Sequence, residues 1–149
     1  MSRDLSVAWE LLTAVTRVHR QLAAARPQIW ERFRLPTAEH TSIIAVPSEP
    51  DQLGRMDPAG DHVSVRVSLE THLPDGRLLS SCLDITVGPR RWRTQPYIAL
   101  SGGTTDTFLW QGPAVERDDT TGFIEMIDSV TQSLLRATLG LDFGAIVAG

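Results

Sequence analysis

Residues 63–87, VSVRVSLETHLPDGRLLSSCLDITV, decide the fold. Val63, Val65, Val67 and Leu69 alternate with Ser64, Arg66, Ser68 and Glu70. Further on, Leu79, Ser81, Leu83, Ile85 and Val87 alternate with Ser80, Cys82, Asp84 and Thr86. A period of two is the mark of a strand with one buried face. Between the runs stands Pro74-Asp75-Gly76. Proline and aspartate suit a type I turn, and glycine suits the left-handed position that follows it. The turn sets Leu73 opposite Arg77. Counting back, Val67 meets Leu83, Val65 meets Ile85 and Val63 meets Val87, so the apolar faces coincide. A slip of one residue would put them on opposite faces. The other face then pairs Arg66 with Asp84, Ser68 with Cys82 and Glu70 with Ser80, which predicts a cross-strand Arg66–Asp84 ion pair.

Outward from this hairpin, Gly88-Pro89 makes a turn and residues 91–100 read as a strand. Pro96 inside it suggests an edge or a bulge, because proline offers the ladder no N–H. Ser101 to Thr105 form a loop, and Thr107 to Gln111 form a last strand. Its Phe108 and Trp110 can share a face with Ile98 and Leu100. Upstream, residues 41–46 (TSIIAV) are a short strand, followed by a long loop at 47–61 rich in proline and glycine. Loops of that length are often functional or mobile.

Helices flank the strands. Over residues 3–25, Leu5, Trp9, Leu12, Val15, Val18 or His19, and Leu22 recur at helical spacing, with Ser2 as a cap. Pro27 breaks or kinks this helix, or opens a second short one over 27–34. Residues 120–139 carry a stripe of Phe123, Met126 or Ile127, Val130, Leu134 and Ala137, ending at Gly140. The apolar tail at 141–149 is expected to dock on the domain or on a partner. These elements assemble into one α+β domain over 1–149: an antiparallel meander of four to five strands with the N- and C-terminal helices on its valine-rich face. The opposite face is small and polar, so it is either solvated or receives something.

Composition removes several functions. The 14 basic residues are all arginine. A chain without lysine has no Schiff-base, P-loop or kinase lysine. The bias points to G+C-rich coding, as in a high-G+C bacterium. The net charge of −4 disfavours nucleic acid, which needs clustered positive charge. A single cysteine, Cys82, and the lack of an apolar leader or a run of about 20 apolar residues fit a cytoplasmic protein away from membranes.

The chemistry-bearing residues form no known constellation. A Cys82–His72 dyad fails on geometry: the register separates them by about 13 Å along the sheet. His19, His40, His62 and His72 lack metal-ligand spacing, so neither metal nor cofactor is expected. Ser101-Gly102-Gly103 lacks the first glycine and the following helix of a hydrolase elbow. Arg90, Arg91, Trp92 and Arg93 form the one basic-aromatic cluster, of a type favoured at interface hot spots.

The sequence therefore reads as a non-catalytic protein-binding or adaptor module, with a protein partner or a second copy as its ligand. Arg66, Cys82, Asp84, Arg90, Arg91, Trp92, Arg93 and Trp110 are the candidate contacts. The outline is similar to that of small secretion-chaperone-like and immunity-type proteins at the level of fold, with no motif to carry residues across. Two alternatives stand beside it. One is a small-molecule pocket between sheet and helices, lined by Trp9, Trp30, Trp92 and Trp110. The other is an enzyme whose polar groups, such as Asp61, His62 and Glu70, converge in a cleft.

Overall fold

The computed structural model describes residues 3–34, 41–47, 63–87, 92–102, 106–118 and 122–148. Strands β2 (Val63–His72) and β3 (Leu78–Val87) form the central hairpin. Gly76 takes φ of +91°, where a side chain would be strained. The Leu73 N–H donates to the Arg77 carbonyl at 2.9 Å and closes the turn. Asp75 Oδ1 accepts the Arg77 N–H at 3.0 Å. The register is the one the turn chemistry implies: Val67 faces Leu83, Val65 faces Ile85, and Arg66 faces Asp84.

Strand β1 (Thr41–Pro47) adds to β2, and β4 (Trp92–Ser101) adds to β3. Strand β5 (Thr107–Gln111) then pairs with β4, giving the antiparallel order β1-β2-β3-β4-β5. The sequence reading missed β6 (Val115–Arg117), which pairs with β4 beyond the end of β5. β5 covers Tyr97 to Leu100, and β6 covers Trp92 to Thr94. Pro96 lies opposite the step between them, and its carbonyl accepts the Gly112 N–H at 3.1 Å. Its missing N–H therefore falls where no ladder partner is present, a local edge within an interior strand. The bulge itself lies between Ile98 and Ala99. At Gly112 a Cβ would come within 2.7 Å of the Trp110 ring and 2.9 Å of Pro96. Only glycine lets the chain cross there.

The first helix, α1, runs unbroken from Arg3 to Phe33 with Pro27 inside it, so the expected break at Pro27 is absent. Leu22, Ala25, Ile29 and Phe33 are buried on both sides of the proline. That packing outweighs the roughly 3 kcal/mol an interior proline costs. The buried stripe is Leu11, Ala14, Val18, Leu22, Ala25, Ile29 and Phe33. It shares Val18 and Leu22 with the expected one but differs towards the N-terminus, leaving Trp9 and Leu12 exposed at 68% and 60%. Helix α2 (Phe123–Leu139) buries Phe123, Ile127, Val130, Leu134 and Leu135. It crosses α1 through Asp128, which accepts from Arg17 Nε at 3.1 Å and from Gln21 at 2.7 Å. The Arg17 guanidinium holds the Asp128 carboxyl below its ordinary range. What this pair contributes is present above the carboxyl's unfolded-state value and is lost as pH falls through the folded one.

Both helices lie on the inner face of the sheet, over Val67, Leu69, Leu79, Leu83, Ile85, Trp92 and Ile98. Ser81, Thr71 and Thr94 are buried polar members of that face. The Ser81 hydroxyl is 2.7 Å from that of Thr138 on α2, so two buried polar groups satisfy each other. The short helix α3 (Phe143–Ala148) returns to α1, where Phe143 stacks on Phe33 with centroids 4.4 Å apart. Among the described residues no helix is long and apolar enough to cross a membrane. The Ser2 cap, the loop from residue 48 to 61, and the Gly88-Pro89 turn lie outside the described residues.

Candidate functional site

The outer face of the sheet is built in cross-strand rows. One row runs Ile44, Ser68, Cys82, Tyr97, Gln111; a second runs Ser42, Glu70, Ser80, Ala99, Phe108. A third places Val46, Arg66, Asp84 and Gln95 side by side. Small side chains in the middle and long ones around them leave a cleft of about 310 Å³. Its floor is Ser68, Ser80, Cys82, Ala99 and Ser101, and its walls are Arg66, Glu70, Tyr97, Asp106 and Phe108.

The charged wall is the expected ion pair. Arg66 Nε donates to Asp84 Oδ1 at 2.8 Å, and Nη2 lies 3.5 Å from Oδ2. The Asp84 side chain is only 4% exposed. Its hydrogen bond raises the Arg66 pKa, so the guanidinium stays charged. Arg66 also lies over the Tyr97 ring at 5.6 Å, and Tyr97 meets Phe108 edge-on at the same separation. Arginine, tyrosine and phenylalanine thus form one continuous wall across three strands.

Cys82 sits beneath them. Burial pushes its thiol from 9.0 up to about 11, against the opposing effects of Tyr97 and Arg66. Burial likewise raises Tyr97. Both groups are neutral at physiological pH, and Cys82 lacks the thiolate that a nucleophile needs. Two pKa units make the thiolate at pH 8 about 100-fold rarer than in an unfolded chain. Alkylation by iodoacetamide at pH 8 is expected to be slower by at least that factor in native protein than in urea. Equal rates would refute this environment. A raised acid also means that folded stability falls as pH climbs above 9.0.

The remaining expected contacts disperse. Trp92 is fully buried and packs edge-on against Phe123 at 4.8 Å, so it belongs to the core rather than to a binding surface. Arg93 is half-buried on the outer face, in register with Thr86 and Glu116. Trp110 is half-buried beside Gly112. Arg90, Arg91, Asp61 and His62 lie outside the described residues. The four tryptophans occupy separate environments: Trp9 faces solvent, while Trp30 donates to Thr41 Oγ1 at 2.6 Å. Among the described residues no three potential metal ligands converge.

Tyr97 and Phe108 were not among the expected contacts. Tyr97 was legible, because alternation along β4 puts it on the face opposite Trp92 and Ile98. Phe108 was not: the bulge between Ile98 and Ala99 turns it to the outer face, where it is 65% exposed. The run Phe108-Leu109-Trp110 has no alternation to reveal this.

A second surface lies at the opposite edge. Leu11, Leu12 and Val15 of α1 and Ala45, Val46, Pro47 and Val65 of the sheet bound an apolar groove of about 370 Å³. Trp9 and Leu12 flank it on the helix, while Ile44 and Val46 are exposed on β1 at 37% and 41%.

No family model, curated protein or solved structure matches this chain at a significant level.

Proposed function

We propose that the chain is a non-catalytic, cytoplasmic protein-binding module of the adaptor type, and that its first partner is a second copy of itself, docked along β1. The apolar groove between α1 and β1, lined by Leu11, Leu12, Val15, Ala45, Val46 and Pro47 beside the open edge of β1, carries this proposal. Contiguous apolar surface of this kind marks interaction sites in water-facing proteins. β1 ends the strand order, so among the described residues its outer edge has no strand partner. Exposed edges are usually guarded by charge, bulges or proline. Residues 41–47 (TSIIAVP) hold no charge, and only the terminal Pro47 interrupts them.

An uncharged antiparallel edge is complementary to itself. A two-fold axis through Ile44 would set β1 against its own copy without like-charge contacts, joining two five-stranded meanders into one sheet. The same operation brings the apolar groove towards the other protomer. Native mass spectrometry and sedimentation at about 1–100 µM, the range of modest protein affinities, test this. The expected species has twice the 16.4 kDa chain mass. Ile44→Lys places two cations opposite each other at the axis and is expected to give a folded monomer. A wild-type chain that is monomeric at the top of that range, or an Ile44→Lys dimer of unchanged affinity, would refute the proposal.

A further inference from the structure

We propose that the outer-face cleft is a binding site for an alkylammonium group, independent of pairing through β1. Four observations combine. First, the local charge is unbalanced. Arg66 is matched by Asp84, whereas Glu70 and Asp106 have no ion-pair partner among the described residues. The cleft therefore presents two uncompensated carboxylates, one on each side of its floor.

Second, the floor carries hydrogen-bonding capacity that the described residues do not use. Ser68 is only 4% exposed and lines the cleft, yet its hydroxyl has no partner among them. That hydroxyl is not one of the fully enclosed polar atoms that lack a partner, so it opens to the cleft and is available to a ligand's donor. Ser80 lies directly across from Glu70 and faces the same space. Third, the far wall is aromatic. The Phe108 ring is 65% exposed beside Tyr97, and aromatic faces attract cations within about 6 Å. The Arg66 guanidinium over Tyr97 at 5.6 Å already shows this preference within the site.

Fourth, size and donor count select among cations. The cleft volume of about 310 Å³ is at the lower end for small-ligand pockets, and the floor is narrow and serine-lined. An ammonium has three N–H donors on a compact centre, whereas a guanidinium is a planar fork suited to paired carboxylate oxygens. Glu70, Ser68 and Ser80 supply acceptors from neighbouring rows at one end of the floor, and Phe108 with Asp106 supplies the aromatic and anionic wall at the other. The alkyl chain would lie over Ala99 and the Cys82 thiol, both uncharged.

The same group occurs on a lysine side chain and on a free polyamine. Backbone amide shifts of the isotopically labelled full chain would be followed during titration with n-butylammonium, with n-butanol as the uncharged control. Saturable shifts at Ser68, Ser80, Ala99 and Asp106 are expected with the amine and not with the alcohol. Glu70→Gln and Asp106→Asn, both near-isosteric, are each expected to weaken binding by about tenfold, the usual effect of losing a charge-assisted contact. Phe108→Leu is expected to weaken it with the thermal midpoint unchanged. Parallel titrations with a linear triamine and with a blocked lysine peptide assign the source by which saturates at lower concentration. Absence of saturable shifts, equal response to butanol, or unchanged affinity in Glu70→Gln would overturn the assignment.

Discussion

Trp92→Ala is expected to remove about 3–5 kcal/mol of unfolding free energy, the range for deleting a large buried aromatic. Trp92 is among the largest fully buried side chains, and its ring meets Phe123, the first residue of α2, at 4.8 Å. The cavity would open where the sheet holds the second helix. For a chain of this length, about 1 kcal/mol moves the thermal midpoint by roughly 2–4 °C, so the midpoint should fall by about 10 °C or more. Trp92→Phe separates packing from polarity. The indole N–H has no hydrogen-bond partner among the described residues, so its removal sacrifices no bond seen there while most of the ring contact survives. Its expected loss is less than half that of alanine. Urea unfolding followed by far-ultraviolet circular dichroism measures both. An alanine variant that loses less than about 1 kcal/mol, the cost of an ordinary substitution, would contradict the packing described.

Arg66→Met is the second large effect. It leaves Asp84, 4% exposed, as a charge without its guanidinium. Breaking a buried pair from one side costs about 3–5 kcal/mol. The lower end is expected here because the Arg66 side chain is 31% exposed. The informative comparison is the double variant Arg66→Met with Asp84→Leu. Replacing both partners by apolar side chains removes the stranded charge and is expected to restore most of the stability. If the double variant is as unstable as the single, the pair is not coupled and the ion-pair geometry is wrong.

The hairpin at 63–87 was legible to the residue, because three independent signals agreed: alternation, turn chemistry and the charge pair. Where one signal acted alone, it could mislead. Pro27 was read on local grounds as a break, a kink or the start of a second helix, yet one helix runs through it, and Ile29 and Phe33 are buried like Leu22 before it. Tertiary packing decided that segment. The α1 stripe held at Val18 and Leu22 and failed at Trp9 and Leu12, since both Leu11 and Leu12 satisfy an apolar pattern and only the neighbouring helix α2 and sheet discriminate between them. The site was half legible. Arg66, Cys82 and Asp84 follow directly from the register of the hairpin. Phe108 depends on a bulge and on a neighbouring strand, neither of which has a signature within residues 107–111.

The bond between Arg17 and Asp128 joins residues 111 apart in sequence, and the stack of Phe33 on Phe143 closes a loop of similar length. Contacts this distant are formed late, since the entropy of closing the loop is spent before the contact returns anything. During synthesis α1 emerges long before the helix it crosses, with its apolar stripe still uncovered. Sheet strands that pair with their immediate neighbours can form meanwhile, but the contact between the two helices has to wait for α2. Until α2 is made, the nascent α1 can pack only on the strands that precede α2, and the part of its apolar stripe that α2 covers stays exposed, a liability for aggregation.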